Sequence, residues 1–349
     1  MKKTTLSFII KCILALLPVI LFIGFTYLFP MAYMDIEYPA FAYTKNICEA
    51  PSSDSASKKQ LLILGDSRAM ADIMPNEVIS GLMEDAPSDA YDFSGLNIEN
   101  LAFGGATSIE MYYTLKNYLK HHEAPERIIV MFAPFHYSYL DNFWQRTMYF
   151  NYLSVSEVFE VYDLAKELGS ETVLAESFVT DSIGYRFRMP DKYLPAIINA
   201  KGIMRYNENK NRYDSLENEH GFGSFGTAAG SSDASYEVNY TTVKNGNDSI
   251  LLLTYMEKLL SLCDEQSIPV LLLQPPMNEA SYTRLNENYL KEYKELLKHL
   301  SDSCQSAVIE VDIPCYENRY FGDASHLNRE GAIVYSKELV KKILRFFKI

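Results

Sequence analysis

An uninterrupted uncharged and largely apolar segment extends from Cys12 to Phe29, 18 residues preceded by Lys11 and followed a few positions later by Asp35 and Glu37. A helix of that length covers about 27 Å, close to the ~30 Å hydrocarbon core of a bilayer. Lys2, Lys3 and Lys11 lie before it. The positive-inside rule therefore predicts a cytoplasmic segment at 1–11, a transmembrane anchor at 12–30, and a body beyond it that is extracytoplasmic and held at the plasma membrane. Tyr27-Leu28-Phe29-Pro30-Met31-Ala32-Tyr33 offers no small-x-small cleavage site, which favours an uncleaved anchor over a signal peptide.

Beyond the anchor the pattern changes. Residues 31–59 hold Pro39, Pro51, a serine-rich run at 52–57 and Lys58-Lys59, and read as a linker. Short apolar runs then alternate with longer amphipathic stretches. Leu61 to Leu64 reads as a strand buried on both faces, and Ile98 to Ala102, Arg127 to Phe132, Ile268 to Leu273 and Val308 to Val311 as further strands. Ser67 to Met83, a stretch through Met111, Leu115 and Leu119, Ile250 to Leu262, Asn286 to Asp302, and Gly331 to Phe347 read as helices. Strands and helices alternating in this way predict βαβ units around a mainly parallel sheet, an α/β domain of three layers spanning 60–349. The alternation fails at about 137–246, which is rich in tyrosine and includes the low-complexity run 221–232. We read it as a large insertion over the functional edge of the sheet, not a separate domain.

A hydrophobic content of 48% in 349 residues is ample for such a core. The net charge of -13 argues against nucleic acid, and against bulk attraction to an anionic bilayer, while leaving room for a local basic patch. Of five cysteines, Cys12 falls in the anchor; Cys48, Cys263, Cys304 and Cys315 allow up to two disulfides but match no zinc spacing. His121-His122 lacks companion ligands at metal spacing, and no cofactor is expected.

Candidate chemistry lies at the two ends of the α/β pattern. Gly65-Asp66-Ser67 closes the first strand, and Asp323-Ala324-Ser325-His326 precedes the last helix. A serine hydroxyl is a weak nucleophile unless an imidazole takes its proton and an acid fixes the imidazole tautomer. Ser67 also suits the start of the following helix as a cap, a reading compatible with catalysis. After the second strand, Asn100-Leu101-Ala102-Phe103-Gly104-Gly105-Ala106-Thr107 supplies glycines that can present an unblocked N–H to an oxyanion. Arg68 can meet an anionic substrate or pair with an acid such as Asp72. His136 stands in an aromatic loop where packing is the commoner role.

These blocks, in this order, resemble the SGNH/GDSL hydrolase superfamily, and the resemblance covers most of the chain beyond the linker. It implies a flavodoxin-like α/β/α fold with Ser67 as nucleophile, His326 as general base, Asp323 orienting it, and the N–H groups of Ser67 and Gly105 as oxyanion donors. One block departs from the pattern. After the third strand the family carries an asparagine, whereas this chain reads Ala133-Pro134-Phe135-His136; Asn142 or a group from the insertion is the candidate replacement, and an oxyanion hole with fewer donors is the alternative. The anchor and the Gly-Asp-Ser-Arg-Ala block resemble the membrane-anchored proteins of cell-envelope acylation, among them those of lipoteichoic-acid D-alanylation and alginate acetylation. That implies an O-acyltransferase, with acetyl the expected group, acting on a cell-surface polysaccharide or teichoic-acid-like polymer and supplied by a multi-pass membrane-bound O-acyltransferase. A serine esterase for the same substrates and a non-catalytic scaffold of the acyltransferase complex are the alternatives.

Overall fold

The computed structural model describes residues 3–51, 59–85, 91–133, 137, 140–175, 178–200, 202–243 and 246–348. It opens with one long helix, α1 (Lys3–Leu28). Within it Ile10–Leu28 is long and apolar enough to cross a membrane, with mean hydropathy 2.2 over 19 residues and 6% of the window buried. Leucines, isoleucines and phenylalanines stand exposed along its length, as expected of a helix whose apolar surface is covered by something outside this chain.

The stretch expected to be a linker is folded. After a 3-10 turn at Pro30–Ala32, Tyr33 and Met34 are buried, and α2 (Tyr38–Glu49) follows with Phe41, Tyr43, Thr44 and Cys48 inside the core. Pro39 misled the sequence reading, yet it lies in the first turn of α2, where a helix needs no N–H from it. The serine-rich residues 52–58 lie outside the described residues.

The core is a five-stranded sheet of β1 (Gln60–Leu64), β2 (Asn97–Asn100), β3 (Arg127–Met131), β4 (Val270–Leu273) and, near the C-terminus, Ala307–Ile309. A two-residue strand, β5 (Met277–Asn278), intervenes after β4, so the Ala307–Ile309 strand is β6; β7 (Cys315–Tyr316) pairs with β5 in a separate parallel ribbon. The main sheet is parallel throughout, in the order β2-β1-β3-β4-β6, with Leu62 opposite Glu99 on one side and Ile128 on the other. Consecutive residues Leu61 to Leu64 are at most 1% exposed. Neighbouring side chains on a strand point to opposite faces, so both faces of the sheet are covered. Because β1 lies between β2 and β3, the chain changes direction beside it, and the carboxyl ends of β1 and β3 face a crevice of the kind where ligands bind in doubly wound sheets.

The helices are α3 (Ser67–Asp72), α4 (Pro75–Asp85), α5 (Ser108–His121), α6 (Asp141–Tyr149), α7 (Val155–Leu168), α8 (Phe178–Arg186), α9 (Pro190–Asn199), α10 (Ile203–Asn218), α11 (Gly246–Glu265), α12 (Glu279–Tyr282), α13 (Glu287–Ser303) and α14 (Arg329–Phe346). The single helix expected over 67–83 is divided at Ile73-Met74. Pro75 disfavours helical geometry in the residue before it and restarts the helix as its own first position. In the insertion, α6 to α10 carry their own packing, with α10 against α2 and α8 against both α6 and α9. All five cysteines are free thiols, Cys48, Cys263 and Cys304 buried among apolar side chains, and no disulfide forms.

Candidate active site

Ser67 is the first residue of α3, carried there directly by the end of β1. Asp66 caps the helix, its carboxylate accepting the Arg68 N–H at 2.9 Å. Asn100, fully buried at the end of β2, donates from Nδ2 to the carbonyls of Ala69 (2.8 Å) and Ile73 (3.2 Å) and accepts the Ala102 N–H. A short helix that would be marginal alone is thereby fixed to the sheet at both ends.

The partner loop arrives from the other end of the sequence. Asn328 caps α14 by accepting the Gly331 N–H at 3.0 Å, and Phe321 bridges Leu327, which closes residues 321–327 into a tight loop. Inside it Asp323 Oδ1 accepts the N–H groups of Ser325 and His326, both at 2.8 Å. Asp323 Oδ2 lies 2.8 Å from His326 Nδ1, and His326 Nε2 lies 2.8 Å from Ser67 Oγ. Placing the proton on Nδ1, toward the carboxylate, leaves Nε2 as acceptor for the serine hydroxyl. Burial works against the charge of Asp323, but the hydrogen bond and charge of His326, with the two backbone N–H groups, hold its pKa down at about 2. The two halves are tied together by Asp72 on α3, whose Oδ1 accepts the Leu327 N–H at 2.9 Å. Asp72 is fully buried, and burial pushes its pKa well above the carboxylate range.

Gly104 and Gly105 occupy the centre of a turn closed by the Ala106 N–H donating to the Phe103 carbonyl at 3.1 Å. Gly105 has φ +74°, the positive value that the third position of a type II turn requires. The turn lines a pocket of about 260 Å³ together with Ser67, His326, Phe225, Arg146 and Glu37. Glu37 comes from the stretch first read as linker, and its carboxylate pairs with Arg146 Nε at 2.8 Å. Burial raises the Glu37 pKa, against the pull of Arg146.

The low-complexity run 221–232 is a fitted strap across this site. Gly223 donates to the Met70 carbonyl, and Ser231 to that of Asn318. Gly226 and Gly322 meet backbone to backbone, so a Cβ on either would collide with the other's main chain. Phe225 is thereby stacked on the His326 ring at 4.8 Å and 17°. The composition reads as flexible, but the glycines serve close approach.

Arg68 lines this pocket beside Ser67, with its guanidinium held by a remote carboxylate. It is 2% exposed and bonded to Glu237, with Nη2 to Oε2 at 3.0 Å. Burial opposes its charge, and Glu237 with Asp66 more than restores it, so it stays protonated. Glu237 lies 169 positions away and carried no sequence signal. Nor did Phe225 or the Glu37–Arg146 pair, because each depends on how the insertion folds back. Ser67, Asp323, His326 and Gly105 are brought together. His136 lies outside the described residues, and Asn142 falls in α6 with its side chain outside them. Among the described residues there is no group of His, Cys, Asp and Glu able to hold a metal ion.

A protein-family model with no descriptive name matches residues 236–348, under half of the chain. The match takes in Glu237, Asp323 and His326 and begins long after Ser67. No curated protein matches the chain at a significant level.

Proposed function

We propose that the chain is a membrane-tethered, extracytoplasmic serine O-acyltransferase of SGNH type, passing an acyl group, acetyl being the expected one, to a hydroxyl of a cell-surface polysaccharide or teichoic-acid-like polymer. The observation that carries this is the unbroken series Ser67 Oγ, His326 Nε2, His326 Nδ1, Asp323 Oδ2, with both hydrogen bonds at 2.8 Å. The doubly wound strand order and the position of Ser67 at the carboxyl end of β1 support the superfamily reading. The span Ile10–Leu28, with its lysines on the N-terminal side, supports an anchor whose N-terminus is cytoplasmic.

In the first half of the reaction Ser67 Oγ attacks the acyl carbonyl and its proton moves to His326 Nε2. Asp323 stabilises the imidazolium, and the N–H groups of Ser67 and Gly105 receive the oxyanion. Collapse breaks the bond to the donor, and the imidazolium returns the proton to the leaving group. In the second half the polymer hydroxyl gives its proton to His326 and takes the acyl group from Ser67, and the imidazolium returns that proton to Ser67 Oγ as the acyl–serine bond breaks. A multi-pass membrane-bound O-acyltransferase is the partner expected to deliver the acyl group beside the anchor.

Full-length protein supplied with an activated acetyl ester and a glycan acceptor tests the assignment. Acetylated glycan that disappears in Ser67→Ala is the expected result. Free acetate without acetylated glycan contradicts transfer and identifies an esterase; no turnover by folded protein contradicts both and leaves the scaffold.

A further inference from the structure

The surface made by α8, α9 and the start of α10 is apolar and uncovered. Phe187, Ile198 and Ile203 are 62–71% exposed, and Ile183, Leu194 and Met204 stand out beside them. This patch is held against the C-terminal end of α1. Tyr27 Oη donates to the Arg186 carbonyl at 2.7 Å, Arg188 lies over the Tyr27 ring at 5.1 Å, and Arg188 Nη1 donates to Tyr33 Oη at 3.0 Å. Phe25 and Phe29 share an apolar groove of about 390 Å³ with Ile197, Ile203 and Tyr206. The patch therefore sits at the height of residues 25–33, where the span ends. Its charge also differs from that of the whole chain. From Phe178 to Glu208 stand Arg186, Arg188, Lys192, Lys201 and Arg205 against Asp181, Asp191 and Glu208, a local positive excess in a chain of net charge -13, although Lys192 pairs with Asp181 and Arg205 with Glu208.

We infer that α8, α9 and the beginning of α10 form a second membrane contact, seated in the interfacial layer of an anionic bilayer around the exit of α1. The inference rests on α1 being the bilayer span. Exposed apolar side chains flanked by arginines, lysines and tyrosines are the composition of a surface lying in the headgroup and acyl boundary. A bilayer is what α1 itself brings to that height. Local positive charge draws the patch to anionic lipid while the negative remainder is repelled, which orients the body over the membrane. The consequence for the proposed reaction is a pocket fixed in height: Glu37, only a few residues past the span, lines it with Ser67.

The test uses the full chain with Cys12 and Cys315, its two exposed thiols, replaced by serine. It is reconstituted in vesicles of phosphatidylethanolamine and phosphatidylglycerol. An environment-sensitive fluorophore is attached singly through Phe29→Cys, Ile198→Cys or Ile203→Cys, and doxyl-labelled lipid is the quencher. Ile198 and Ile203 are each 71% exposed, so labelling there leaves the buried core in place. Quenching at all three positions, roughly twofold or more, is expected of groups at the acyl boundary. Quenching at Phe29 with none at Ile198 and Ile203 overturns the inference and assigns the patch to a protein partner. Lack of quenching at Phe29 removes the anchor reading and the inference with it.

Discussion

At the scale of single residues, the account depends on where two protons reside. Ser67→Ala removes the proposed nucleophile and is expected to lower the proposed acyl transfer on the order of 10⁴-fold or more, measured by product formation. Asp323→Asn keeps the shape but loses the charge that fixes the His326 tautomer, with a loss on the order of 10³–10⁴-fold. The pKa of Asp323 is depressed to about 2. Its contribution to stability is therefore fully present above the ordinary aspartate value of ~4 and is lost as pH falls toward that depressed value. Denaturant unfolding of wild type and Asp323→Asn at several pH values should show their difference narrowing over that window, and an acid limb of activity above pH ~4 belongs to another group. Ser67, Gly105, Asp323 and His326 were legible in the sequence because glycine, serine, aspartate and histidine carry chemistry at short local spacing. That Arg68 pairs with an acid was open to the sequence, but which acid was not: Glu237 is remote, and no local pattern marks a buried ion pair.

At the scale of elements, what matters is how α3, the strap 221–232 and the loop 321–327 are joined. Asp72 is raised in pKa by burial, so the stability linked to its proton is present below ~4 and lost as pH rises. Asp72→Asn keeps an acceptor for the Leu327 N–H without the charge, and its stability relative to wild type should grow as pH rises from 4 to 8. Asp72→Ala strands that buried N–H and should cost about 1–3 kcal/mol by denaturant unfolding. Glu237→Ala leaves the Arg68 guanidinium buried without its carboxylate, and a loss of about 3–5 kcal/mol is expected. Gly226→Ala collides with the Gly322 backbone. It should reduce kcat with the fold kept, as seen by circular dichroism, because Phe225 and His326 shift together. The sheet strands were legible through their apolar runs, whereas the strap was not: glycine and serine composition cannot distinguish a flexible loop from one whose glycines admit another backbone.

At the scale of the whole molecule, the stretch that follows α1 is part of the packed body. Phe41 packs against Phe103 and Phe150, with ring centroids at 4.2 and 4.6 Å, so α2 belongs to the core. A chain starting at Phe25 retains these contacts and should fold. One starting at Gln60 loses Tyr33, Met34, Phe41 and Tyr43, each worth about 2–5 kcal/mol when buried, against a total stability of about 5–15 kcal/mol. Thermal unfolding should show a cooperative transition for the first and none for the second. The sequence concealed this because Pro39 and the serines after Pro51 have linker composition, and tertiary packing decides whether an amphipathic stretch of α2's length is a helix.

The most direct test of the central claim is peptide-level mass spectrometry of the full-length protein after brief exposure to an activated acetyl ester, in wild type, Ser67→Ala and His326→Ala. The account predicts an acetyl group on Ser67 in wild type and none at that position in either variant. Acetylation at another residue, or equal labelling of His326→Ala at Ser67, would contradict a nucleophile activated by the Asp323–His326 pair.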